Sequence, residues 1–107
     1  MQVQFENVDF VIKTQLQIQK DFASIGAQFL PNFSIVALGL DDLTLTIANK
    51  LGEIMQEDHR LLAQLFYQID LPENDELIFE NEETYLAEMA SLIIRREAYK
   101  VYLRSKF

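Results

Sequence analysis

The chain has no cysteine and no tryptophan, one histidine, three glycines and two prolines among its 107 residues. Without cysteine there is no disulfide framework, no thiol nucleophile and no thiolate metal site. So little glycine and proline fits poorly with many short strands, each of which needs a turn, and fits well with a few long helices. The opening residues, Met1 to Glu6, hold no basic stretch followed by an apolar run, which predicts no secretory signal. The longest nearly uncharged apolar stretch, Phe29 to Leu40, is interrupted by Pro31 and Asn32. It is far short of the ~20 residues that span a bilayer. The expectation is a soluble, cytoplasmic protein with no membrane role.

What the chain does have is an ordinary globular composition, 50% hydrophobic and 24% charged, at a length that suits one domain. Its net charge of −8 is unevenly spread. Residues 1–69 hold eight acids and four bases, residues 70–94 eight acids and no base, and residues 95–107 five bases and one acid. An overall negative charge repels the phosphate backbone, so nucleic acid is a disfavoured partner.

Apolar spacing predicts an all-α bundle of four helices, roughly 7–29, 42–55, 59–70 and 82–104. In the first, Val8, Val11, Ile12, Ile18, Phe22, Ile25 and Phe29 form a stripe behind Asn7 as N-cap, and Pro31 ends the pattern. Ile12, Thr14, Leu16 and Ile18 also alternate as a strand would. The second helix carries Ile47, Ala48, Leu51, Ile54 and Met55 behind Asp41 or Asp42 as cap, with Gly52 as a weak point. The third presents Leu62, Leu65, Phe66 and Ile69 behind Asp58. Asn81 caps the last, whose apolar residues between Leu86 and Ile94 wrap most of its circumference, implying burial from several sides. The competing fold is a small α+β domain with strands at Gln2–Phe5, Ser34–Leu38 or Leu77–Phe79.

No motif carries a recognisable chemistry. His59 follows Glu57 and Asp58, but its i+3 and i+4 positions are Leu62 and Ala63, which cannot bind a metal. A twelve-residue calcium loop begun at Asp70 fails at Pro72, Asp75, Ile78 and Asn81. The pairs Asp41–Asp42 and Glu82–Glu83 are signals of a helix start rather than a catalytic pair. Five phenylalanines, at positions 5, 10, 22, 29 and 33, suit a core better than a cofactor box. These features predict no catalytic, cofactor or metal site. The one candidate for partner binding is the basic end of the last helix. There Arg96, Lys100 and Arg104 fall at i, i+4 and i+8, with Arg95, Tyr99 and Tyr102 beside them. That stripe could dock an acidic protein surface or stack on nucleic acid, or it could neutralise the chain's own acids from Asp70 onward. The expectation is a non-enzymatic interaction or regulatory module, self-associating as a homo-oligomer. The alternatives are a nucleic-acid accessory protein and a small-ligand carrier.

Overall fold

A computed structural model describes residues 7–71 and 81–106, and these form four helices. They are α1 (Val8–Ala23), α2 (Leu40–Glu57), α3 (Arg60–Ile69) and α4 (Glu82–Lys106). No strand occurs among the described residues. Residues 34–38 are turn and irregular chain, while Gln2–Phe5, Leu77–Phe79 and most of the acidic segment after Asp70 lie outside the described residues. The fold is the small all-α bundle that the apolar spacing predicts. α4 packs on each of the other three helices and most extensively on α2 and α1, as its wide apolar girth requires.

Helix starts follow side-chain chemistry. The Asn7 Oδ1 accepts from the Phe10 N–H at 3.2 Å, and the Asn81 Oδ1 from the Thr84 N–H at 2.8 Å. At α3 the N-cap is His59 rather than Asp58, and Asp58, one residue earlier, accepts from the Arg60 N–H at 3.0 Å. The start of α2 differs from expectation. Gly39 is its N-cap, and Asp41 and Asp42 sit in its first turn, where they face the positive end of the helix dipole without capping it.

The end of α1 also differs, falling at Ala23 rather than near residue 29. Gly26 is the reason. It adopts φ +82, and the N–H groups of Gly26 and Ala27 turn back onto the carbonyls of Ala23 and Phe22 at 3.0 Å each. This paired closure satisfies the last carbonyls and stops the helix well before Pro31. A similar closure ends α3, with Asp70 at φ 66 and the Leu71 N–H returning to the Phe66 carbonyl at 3.0 Å.

The core joins Ile18 and Phe22 of α1, Leu43, Ile47 and Leu51 of α2, Leu65 and Ile69 of α3, and Ala90 and Ile93 of α4, all with no exposed surface. The aromatics of the first third contribute as a chain. Phe22 and Phe29 lie 5.0 Å apart between centroids, and Phe29 and Phe33 stack at 4.2 Å. Val8, by contrast, is exposed, and the polar Thr14 and Gln15 are buried with Val11 and Ile18 on α1.

At Gly52 an added Cβ would lie 3.4 Å from Leu86 Cδ1 on α4, the end of a flexible side chain. Glycine inside a helix costs about 0.5–1 kcal/mol relative to alanine. Gly52→Ala is therefore expected to raise stability by about 0.5 kcal/mol in urea denaturation. A loss instead would show that α2 and α4 cannot yield at that point.

Candidate functional site

Five polar residues are buried among the described residues: Thr14, Gln15, Gln17 and Asp21 on α1 and Glu97 on α4. Helical spacing explains why they are inside. Val11, Thr14, Gln15, Ile18 and Phe22 share the face of α1 that meets the core, and Gln17 and Asp21 fall beside it on the edge facing α4. Glu97 lies one turn after Ile93 and one turn before Val101, in the middle of the buried stripe of α4.

Gln15 serves the connector between α1 and α2. Its Nε2 donates to the carbonyls of Phe33 and Val36, and its Oε1 accepts from the Leu38 N–H at 2.8 Å. One side chain thus satisfies three backbone groups of a segment that has no regular structure to pair them.

The remaining buried groups form a charged cluster where α1 meets α4. Lys100 Nζ is 3.1 Å from Asp21 Oδ2 and 3.0 Å from Glu97 Oε1. Gln17 donates to Asp21 Oδ1 at 3.1 Å, and Arg104 Nη1 donates to Gln17 Oε1. Glu97 has no exposed surface, and neither of its carboxyl oxygens has a hydrogen-bond donor placed with good geometry, the Lys100 contact being one of distance only. Two carboxyls therefore share one cation. Burial, together with the Asp21 carboxylate beside it, pushes the Glu97 carboxyl up from 4.5 to about 8. Burial acts in the same direction on Asp21, but hydrogen bonds from Glu97, Lys100 and Gln17 outweigh it and hold that carboxyl below its ordinary value. The two neighbouring carboxyls are thus driven apart, Glu97 keeping its proton to higher pH and Asp21 giving its own up more readily.

The candidate partner-binding residues Arg95, Arg96, Tyr99, Lys100 and Arg104 do not form one open surface. Arg96 turns to α3, with Nη2 3.0 Å from Asp70 Oδ2 and Nε 3.4 Å from the Ile69 carbonyl. Its guanidinium also lies 5.9 Å from the Tyr99 ring. Lys100 and Arg104 turn to α1, as described above. Arg95 is exposed and makes no ion pair among the described residues, and the Tyr99 ring is partly exposed on the same end of the helix. His59 is exposed just before α3, and no cluster of three or more His, Asp or Glu groups suited to a metal occurs among the described residues. Among the same residues no helix is long and apolar enough to cross a membrane.

A second feature lies on the outside. Leu30, Ile35, Val36, Leu40 and Leu45 are 75, 72, 57, 49 and 60% exposed. Leu30 and Val36 line a groove of about 400 Å³ between the connector and α2. Leu40 and Leu45 line one of about 610 Å³ between α2 and the start of α4. The two grooves meet at Asn49, which lines both. Carboxylates border them: Glu53 beside the first, Asp41 and Glu83 beside the second. The cation there, Lys50, is paired with Glu53 at 2.9 Å.

Comparison of the chain with protein-family models, with curated proteins and with solved structures gives no match. What the protein does must therefore be read from its own residues.

Proposed function

We propose that the protein is a non-enzymatic, helical protein–protein interaction module that self-associates through the outer face of α2. The observation that carries this reading is a set of five exposed apolar side chains between Leu30 and Leu45, four of which line adjoining grooves rimmed by carboxylates. A contiguous apolar surface of this kind, edged by polar groups, is what association sites expose. The charge of the rim selects the occupant. An acidic edge complements a basic, aromatic strip, and the chain carries one on α4, where Arg95, Tyr99, Tyr102 and Lys106 follow at helical spacing. A second copy could thus seat the last turns of its α4 on the α2 face of the first.

A nucleic-acid role draws less support. Phosphate contacts need free cations, and Arg96, Lys100 and Arg104 each bond within the chain.

The test is sedimentation velocity at rising salt. The wild type is expected to form a dimer at low salt that weakens as salt screens the rim charges. Leu45→Glu, at an exposed position, is expected to abolish the dimer while leaving the unfolding transition in place. Arg95→Glu should weaken it and make it less salt-sensitive. A wild type that stays monomeric at every salt concentration, or a Leu45→Glu variant that dimerises as well as the wild type, sinks the proposal.

A further inference from the structure

We infer that Asp21, Glu97 and Lys100 form a proton-controlled latch between α1 and α4, closed when the two carboxyls share a proton and loosened when that proton leaves. The last turns of α4 are tied to α1 by Lys100 to Asp21 and by Arg104 to Gln17, and Gln17 is itself bonded to Asp21. All three ties converge on the one carboxylate that Glu97 faces. Glu97 is wholly buried with both oxygens short of donors, so as an anion it has only Lys100 to turn to, and Lys100 is already bonded to Asp21. An ionised Glu97 therefore repels Asp21 and competes for its cation, which weakens the contacts that hold the end of α4 down.

Among the described residues no other charged group compensates. α3 contains one charged residue, Arg60, which is exposed and paired with Asp58. On α2, Lys50 pairs with Glu53, and Asp41, Asp42 and Glu57 are exposed. Asp9, Lys13 and Lys20 of α1 are exposed, as are Glu82, Glu83, Glu88, Arg95 and Lys106 of α4, and Arg96 reaches Asp70 instead.

The folded form holds the Glu97 proton up to about 8, whereas the freed group releases it near 4.5. Between those values the closed state binds more protons than the open one, so closure weakens as pH rises through that window and levels off above it. Asp21, held below its ordinary value, acts oppositely but only in acid, where the latch loses Asp21 as pH falls. The latch is tightest in mildly acidic solution, loosens steadily as pH rises from there, and is fully loosened once pH passes the folded Glu97 value of about 8.

Native-state hydrogen exchange on the full chain tests this, with protection factors corrected for intrinsic exchange. Amides of Val101 to Arg104 are expected to lose protection by at least about tenfold between about pH 6 and about pH 8.5. Those of Leu51 and Ile54 in α2 should change much less. Glu97→Gln, whose amide can donate to Asp21 without titrating, should flatten the dependence. Should that variant not fold, a carboxyl ¹³C titration of Glu97 in the wild type decides the same point, with a midpoint near the folded value of about 8 expected. Protection that is independent of pH, an equal loss in α2 and α4, a Glu97→Gln profile matching the wild type, or a Glu97 midpoint near 4.5 each overturns the latch.

Discussion

Replacing Gln15 by leucine is expected to destabilise the protein by about 3 kcal/mol, although leucine matches its bulk and suits a buried site. The reason is the set of three backbone groups that Gln15 satisfies, at Phe33, Val36 and Leu38. A buried polar group left without a partner costs about 1–3 kcal/mol. The Phe33 bond is buried, so its loss is felt in full, whereas the Val36 and Leu38 groups are part-buried and recover some of theirs from water. The effect should be local as well as global. The Leu38 amide should exchange rapidly, and Phe33 should lose its stacking on Phe29. Urea denaturation with hydrogen exchange measures both. A Gln15→Leu protein as stable as the wild type would mean that the connector supports itself and that Gln15 is merely tolerated.

Removing the cation at the α1–α4 junction is the other large effect. Lys100→Met keeps the apolar stem but leaves two buried carboxyls with no positive charge between them. Deleting one partner of a buried ion pair costs about 3–5 kcal/mol. The loss should depend on pH. In mildly acidic solution the Asp21–Glu97 pair can still share its proton, so the variant should suffer least there and most above neutrality. Urea midpoints at several pH values check this. A uniform loss across pH would show that the lysine stem, and not the charge, is what the junction needs.

Much of the architecture is legible in the sequence because it is local. Three-four spacing locates all four helices, and the asparagines at positions 7 and 81 cap as their chemistry predicts, whereas His59 takes the cap position expected of Asp58. The end of α1 is harder to read because Pro31 is the louder breaker. Gly26, which can take positive φ without strain, closes the helix first. The site is less legible. Gln15 and Gln17 look like solvent-facing polar residues in an alternating run, and only the position of Gln15 among Val11, Ile18 and Phe22 marks it as inward-facing. Glu97 has a fainter sign, as the one acid of the last thirteen residues, set on the apolar stripe between Ile93 and Val101. The charge gradient of α4 is plain, but its use is not. The partners of Arg96, Lys100 and Arg104 lie 26, 79 and 87 residues away in sequence, and no local pattern reports on contacts that distant.

The proposed self-association joins the acidic α2 face of one copy to the basic end of α4 in another, and a mixed sample tests that most directly. Chains carrying a paramagnetic label at position 42, exposed on α2 beside the grooves but lining neither, would be mixed with unlabelled, ¹⁵N-enriched chains, so that any broadening must pass between copies. The expected result is broadening at Arg95, Tyr99 and Lys106, fading as salt is raised, with a solution mass approaching twice 12.5 kDa at low salt. Sharp resonances throughout α4 at every attainable concentration, with the mass staying at 12.5 kDa, would contradict it.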